Sequence, residues 1–249
     1  MKNKLNTVFK KIQLILGLLS FWALSACASE IIITDPNTGE KFTIPAQYSD
    51  VPGIKMLGEY CAAEGGQKIK EVVHVDGYYD DMMGRCEGAC WRRLIMSNFE
   101  YFEMNVEKAK SYRMLSEAGL WKVYKSVKTD PNCHSKINRE IERNDYYDEF
   151  TKGRCIAAKK QTKIESRYGY YSEKLDSVKV GGRGAEVQVF TEYVKDFQRD
   201  ELIAQWKSFL LFPRHLKLNP SATYQCETIN INTAKQSLIE AVIKTKDSK

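Results

Sequence analysis

The sequence predicts an α+β fold built mainly on an antiparallel β-sheet. Many segments alternate apolar and polar residues, as strands with one buried face do, and few have helical periodicity. The clearest strands are residues 186–195 and 201–211, two alternating runs around a short polar turn that is typical of a hairpin. Runs of strands with few helices are typical of α+β domains.

The other strands follow from turn residues and alternation, in chain order. Residues 30–34 and 41–44 are β-branched runs around a turn with Pro, Asn and Gly, which predicts a hairpin. Residues 53–63 predict a short helix that ends at two glycines. Strands are also predicted at 68–75, 94–106, 120–127, 155–171 (one long strand or a pair) and 175–180, with a turn at 181–184 and a short edge strand at 222–226.

Two further helices are expected, one polar and one amphipathic. The charged segment 135–150 places Ile137 and Ile141 one turn apart, which predicts a partly buried helix. The C-terminal segment 232–244 is expected to pack on the sheet. Its apolar face consists of Leu238, Ile239, Val242 and Ile243.

The N-terminal segment has the layout of an export signal. Residues 1–13 contain four lysines and no acid, and residues 14–24 form an apolar run of 11 residues. A membrane-spanning helix needs about 20 apolar residues, so this run is too short for a permanent span. The run ends in Leu24, Ser25, Ala26 and Cys27.

These four residues resemble the lipobox of bacterial prolipoproteins, which is an aliphatic residue, two small residues and a cysteine. The resemblance implies cleavage after Ala26 and a lipid, such as palmitate, on Cys27. It implies no other cofactor. In enteric bacteria, an Asp directly after the lipidated cysteine retains lipoproteins in the inner membrane, and this chain has Ala28 at that position. The expected location is therefore the outer membrane, facing the periplasm. An ordinary cleavable signal with an incidental Cys27 is the alternative.

Three segments are expected: a cleaved signal at 1–26, a lipid anchor with its tether and hairpin at 27–52, and a single α+β domain at 53–249. Cleavage would remove four lysines and lower the formal net charge from +6 to +2, so the basicity does not indicate an acidic partner. With 43% apolar and 28% charged residues, the chain is expected to be globular. Basic and acidic residues are interleaved, so nucleic-acid binding is not expected.

Six cysteines remain after the predicted anchor. An oxidising compartment and an even number favour disulfides, and six cysteines allow 15 pairings that the sequence cannot choose among. We favour a bond between Cys133 and Cys155 around the polar helix. Free thiols and zinc remain alternatives, although the spacing fits no zinc pattern. The candidates are Cys61, Cys86, Cys90, Cys133, Cys155 and Cys226.

No catalytic or metal-binding motif is recognisable, so neither an active site nor a metal site is predicted. The acidic cluster Asp76, Asp80 and Asp81 is interpreted as a solvated turn, with calcium binding or a carboxylate pair for glycoside hydrolysis as alternatives. The histidines are assigned structural or surface roles. They are His74, His134 and His215.

Several aromatic residues could line a groove for a sugar or a peptide, although aromatics are also common in sheets. They are Tyr168, Tyr170, Tyr171, Phe190, Tyr193 and Trp206.

The sequence therefore favours a lipid-anchored envelope protein that binds or scaffolds and is not an enzyme, held on the membrane by its acyl anchor and with an envelope protein as its expected partner. A carrier of an apolar ligand and a tethered hydrolase are the alternatives. From residue 68 onward the body loosely resembles uncharacterised bacterial lipoproteins, through the run CAAEGG before a strand and the late hairpin that ends in a cysteine.

Overall fold

A computed structural model of the chain describes residues 30–83, 90–106, 115, 117–174, 177–180, 185–212, 223–231 and 237–246, with residues 90, 174 and 178–180 described by their backbone alone. The fold is α+β with a mostly antiparallel sheet, as the sequence predicts. The described residues form five α-helices: α1 (Ile54–Glu64), α2 (Cys90–Met96), α3 (Ser135–Ile141), α4 (Asp148–Thr151) and α5 (Leu238–Val242).

The described strands are numbered in chain order. They are β1 (Ile31–Thr34), β2 (Lys41–Ile44), β3 (Gly66–Ile69), β4 (Val73–Val75), β5 (Gly77–Asp80), β6 (Tyr101–Val106), β7 (Gly119–Val127), β8 (Arg154–Lys160), β9 (Tyr168–Lys174), β10 (Val178–Val180), β11 (Ala185–Asp196), β12 (Glu201–Phe212), β13 (Tyr224–Gln225) and β14 (Ile243–Thr245).

The chain divides into two compact units. The first contains residues up to 64, 178–187 and 209–231. In it, β1 and β2 form the predicted N-terminal hairpin, and β13 pairs with the end of β12. The hairpin packs closely on α1, because a Cβ atom added at Gly58 would lie 2.8 Å from Ile44 Cδ1.

The Cys61–Cys226 disulfide lies within this first unit. It joins α1 to the segment that follows β13, across a sequence separation of 165 residues. Both cysteines are buried, with relative exposures of 0% and 1%.

The second unit contains residues 65–177, 188–208 and 232 onward. Its sheet has the order β12, β11, β9, β5, β6, β7, β8, with β3 also paired to β12. The predicted late hairpin, β11 with β12, is confirmed. Strand β5 runs parallel to both β6 and β9 and antiparallel pairs surround this centre.

One face of this sheet carries the hydrophobic core of the second unit. Phe102, Val123, Tyr170 and Val194 belong to that core, as do the apolar residues of α5. The expectation that the C-terminal helix packs on the sheet is confirmed. Each fully buried Leu or Ile side chain stabilises the packing by roughly 1.5–3 kcal/mol.

The predicted Cys133–Cys155 disulfide is present in the second unit. It encloses α3, whose Ile137 and Ile141 are buried as predicted. The predicted polar helix at 135–150 is interrupted, because Asn144 caps a 3-10 turn at Asp145–Tyr147 before α4 begins.

Two strand predictions were wrong in extent. The run 68–75 is two strands, because β3 pairs with β12 whereas β4 pairs with β14. The run 94–106 begins as helix α2, in which Trp91 and Leu94 are buried at a helical spacing. Of the two alternatives for 155–171, the structure has two strands, β8 and β9, which pair with different neighbours.

The C-terminal helix is shorter than predicted. It begins after Ser237, whose side chain accepts a hydrogen bond from the backbone N–H of Glu240. Residues 243–245 form strand β14 beside β4, in keeping with the preference of β-branched residues for strands. Residues 232–236 lie outside the described residues.

Candidate functional site

The acidic cluster does not form the solvated turn that the sequence suggested. Asp76 is exposed and forms an ion pair with Lys246, whereas Asp80, at the end of β5, is fully buried. Asp81 accepts a hydrogen bond from the hydroxyl group of Tyr79 at 3.2 Å. Within the described ranges, no group of three or more His, Cys, Asp and Glu side chains is placed to hold a metal ion.

Asp80 is the centre of a buried polar network. Its Oδ1 accepts the backbone N–H groups of Met82 and Met83 at 3.0 and 3.1 Å. Its Oδ2 lies 3.2 Å from Arg93 Nη1. The hydroxyl of Tyr78 donates to the same carboxyl group and accepts from Arg93 Nη2 at 3.3 Å.

Burial controls the ionisation of this network. Loss of hydration raises the pKa of Asp80 to about 6, against the opposing effects of Arg93 and the two backbone N–H groups. Burial also raises the pKa of Glu192, whose carboxylate accepts a hydrogen bond from Tyr170. Clusters of shifted pKa values are common at active sites, but structural ion pairs also produce them.

The hydrogen bonds of Asp80 indicate that its raised pKa belongs to a structural ion pair and not to an active site. A carboxylate has about four acceptor positions. Two backbone amides, Arg93 and Tyr78 together occupy that number at Asp80. The carboxyl group therefore fixes α2 against β5 and retains no acceptor position for a substrate.

A cavity of about 520 Å³ lies beside this network. Its walls come from β5, α2, α5 and β14, and most of its lining is apolar. Arg93 and Glu240 add opposite charges, and the apolar side chains of the lining are Met96, Phe99, Ile239 and Ile243, with the ring of Tyr78. Its volume falls in the range of sites for small molecules.

The other face of the sheet carries a row of tyrosines across five neighbouring strands. Side chains alternate between the faces of a strand. Because Tyr78, Phe102, Val123, Tyr170 and Val194 belong to the core, their neighbours in sequence point to the opposite face. We call this surface the tyrosine face; it consists of Tyr79, Tyr101, Tyr124, Tyr171 and Tyr193.

The register of the strands brings these rings together. Tyr193 lies directly opposite Tyr171, and Tyr101 directly opposite Tyr124. Glycines make room between them. Tyr101 lies over Gly77, and a Cβ atom added at Gly169 would stand 2.5 Å from Phe197 Cζ.

Carboxylates orient the hydroxyl groups of three of these tyrosines. Tyr193 donates to Glu173 Oε1 at 2.6 Å, and Tyr79 donates to Asp81. Tyr124 donates to Asp130 Oδ2 at 3.1 Å. The rings are therefore held in fixed positions with carboxylates at their edges.

The structure divides the aromatic residues singled out in the sequence. Tyr168 and Tyr170 belong to the core, Trp206 packs against it, and Phe190 shares the face of Val194. Only Tyr171 and Tyr193 lie on the tyrosine face. Sequence reasoning missed Tyr79, Tyr101, Tyr124 and Phe197, because strand alternation places a ring on a face but does not show which strands are neighbours.

The described histidines neither line the cavity beside Asp80 nor belong to the tyrosine face. His134 is the N-cap of α3, where its Nδ1 lies 3.5 Å from the backbone nitrogen of Ile137, and burial lowers its pKa. His74 is exposed on β4. His215 lies outside the described residues, as do Leu24, Ser25, Ala26, Cys27, Cys86, the side chain of Cys90 and the turn at 181–184.

Comparison with known proteins gives no relative: no protein-family model, no curated protein and no solved structure matches this chain. Two disulfides among the described residues indicate folding in an oxidising, extracytoplasmic compartment. No helix in the described part of the chain is both long and apolar enough to cross a bilayer.

Proposed function

We propose that this protein is a lipid-anchored cell-envelope protein that binds a protein partner and does not catalyse a reaction. The observation that carries the binding role is the tyrosine face, with its oriented and partly exposed rings. Tyrosine is favoured at interfaces because it combines a large apolar surface with a polar group and loses little conformational entropy on binding.

Attachment through Cys27 accounts for the proposed location. The disulfides support an extracytoplasmic site, and the lipobox Leu24–Cys27 supplies the anchor. One acyl chain gives weak membrane binding, whereas two or more hold a protein durably. The proposed destination is the outer membrane, facing the periplasm.

A hydrolase is less well supported than a binding protein. Asp80 is the acid with the strongest resemblance to a catalytic group, since it is buried and its pKa is raised to about 6. Its acceptor positions are occupied by groups of the protein itself, so a substrate would first have to displace them.

Crosslinking in native envelopes, followed by capture of the protein, tests the binding role. We expect a discrete partner with the wild type, a reduced yield with Tyr193→Ala, and an unchanged yield with Tyr146→Ala. Tyr146 is a matched control because the residue is 72% exposed and lies outside the tyrosine face. Equal yields from all three proteins, or no captured partner, would contradict the proposal.

A second candidate function is the carriage of a small apolar ligand, which the cavity beside Arg93 favours. Native mass spectrometry of protein taken from the envelope should then show a bound apolar molecule. Ile239→Trp should abolish the added mass by filling the cavity, while Val127→Trp, at a surface position, should retain it. An identical spectrum for both variants would exclude the cavity as the site.

A further inference from the structure

Tyr171 and Tyr193 form a partly exposed end of the tyrosine face. Their rings are stacked, with centroids 5.0 Å apart and planes inclined by 16°. Phe197 approaches Tyr171 edge-on at 6.3 Å, and Tyr79, on the neighbouring strand β5, lies 5.5 Å from Tyr171. The pair is therefore packed against two further aromatic rings of the protein.

The surroundings of this pair are acidic. Glu173 is exposed and accepts the hydrogen bond from Tyr193. Burial, together with the charges of Asp81 and Glu173, raises the pKa of Tyr171 to about 12, so both carboxylates act on the same ring. Lys195 shares this face, but its ammonium group is paired with Asp200.

The same face already holds an ammonium group on strands β6 and β7. Lys122 Nζ lies 4.1 Å from the centroid of the Tyr101 ring and 3.3 Å from Glu165 Oε2. A tyrosine ring and a carboxylate thus bind the ammonium group of a lysine that belongs to this same chain. The Tyr171–Tyr193 pair and Glu173 present the same two elements.

We propose that Tyr171, Tyr193 and Glu173 bind the side-chain ammonium group of a lysine on the protein partner; this rests on the binding role proposed above. The rings attract the cation through their negatively charged faces, and Glu173 accepts its hydrogen bonds. Exposed cation–π contacts and exposed ion pairs are individually weak, so one ammonium group would contribute about tenfold in affinity. A partner protein rather than a free amine is the expected source, because further contacts must supply the remaining affinity.

The test uses the protein purified in detergent and two labelled probes, a lysine octamer and its fully Nε-acetylated form. Fluorescence anisotropy at low ionic strength should show binding of the charged octamer and at least tenfold weaker binding of the acetylated one. Tyr171→Leu and Glu173→Gln should each weaken binding of the charged octamer about three- to tenfold. Glu149→Gln, which removes the same charge from a distant exposed position, should change it less than twofold.

Three results would overturn the inference. Equal weakening by Glu173→Gln and Glu149→Gln would mean that only net charge matters. Binding of the acetylated octamer as tight as that of the charged one would exclude the ammonium group, and n-butylamine binding as tightly as the octamer would exclude a protein source. If the partner is still captured from envelopes in a Tyr193-dependent manner, any of these results would leave the binding role standing.

Discussion

Asp80 should make the stability of the protein depend on pH in an unusual direction. Acidic groups commonly stabilise a fold above their unfolded pKa, but burial raises the pKa of Asp80 from 3.8 to about 6. Between these values the unfolded chain ionises while the folded protein retains its proton. The contribution of Asp80 to the stability is therefore greatest below pH 4, and it falls as the pH rises towards 6.

The size of the effect follows from the same two values. A tenfold change in proton affinity corresponds to about 1.4 kcal/mol, so a rise from 3.8 to about 6 corresponds to about 3 kcal/mol. Asp80→Asn cannot ionise and can still accept the N–H groups of Met82 and Met83. Because the unfolded carboxyl is already more than half ionised at pH 4, the wild type should lose about 2 kcal/mol more than Asp80→Asn does between pH 4 and pH 7.

Urea unfolding followed by tryptophan fluorescence at several pH values measures this difference. The variant also loses its ion pair with Arg93, so the change with pH, and not the absolute stability, is the quantity to compare. A stability difference between wild type and Asp80→Asn that is constant from pH 4 to 7, or that changes in the opposite direction, would refute the reasoning.

Asp196 provides a control, because its pKa is shifted downwards and not upwards. Burial raises its pKa, but hydrogen bonds from Arg167, Arg199 and two backbone N–H groups outweigh burial and bring it to about 2. Its stabilising contribution is complete above the unfolded value of 3.8 and is lost as the pH falls towards 2. Asp196→Asn should therefore shift the stability by a constant amount between pH 5 and 7.

Two further predictions concern the disulfides and a glycine. Replacing both cysteines of Cys61–Cys226 by serine should cost about 5 kcal/mol, against about 3 kcal/mol for Cys133–Cys155, because the first closes the longer loop; equal losses in urea unfolding would contradict the chain-entropy account. Gly169→Ala should destabilise by about 1–3 kcal/mol through its clash with Phe197, and Phe197→Ala should relieve part of the loss. A loss below 0.5 kcal/mol in thermal unfolding would contradict the packing described here.

Local sequence signals predicted the features that depend on neighbours in sequence. The β11–β12 hairpin follows from alternation around a polar turn, where Asp196 accepts the N–H groups of Gln198 and Arg199. The Cys133–Cys155 bond encloses a short helical segment that contains α3 and α4, so its partners are close in sequence, with a separation of 22 residues. The Cys61–Cys226 bond spans 165 residues, and no local signal selects it from the other pairings.

The candidate site could not be predicted, because it depends on contacts between parts of the chain that are distant in sequence. Alternation along β9 separates Tyr170 from Tyr171, but the sequence does not show that β9 lies beside β5, about 90 residues earlier. The tyrosine face exists only because of that pairing. The sequence predicts a solvated turn at Asp80, because nothing local shows that a cation will lie beside it. Its partner Arg93, 13 residues later, lies on helix α2, which the sequence did not predict.

The proposed attachment to the cell envelope by a lipid anchor depends on Cys27, and replacing this residue tests it. Membrane fractions and intact masses of the wild type and Cys27→Ser should be compared after expression in a diderm bacterium. We expect the wild type in the membrane fraction, with residues 1–26 removed and acyl chains attached, and the variant without acyl chains and released from the membrane. A Cys27→Ser protein that remains in the membrane fraction, or a wild type that carries no lipid, would contradict the account.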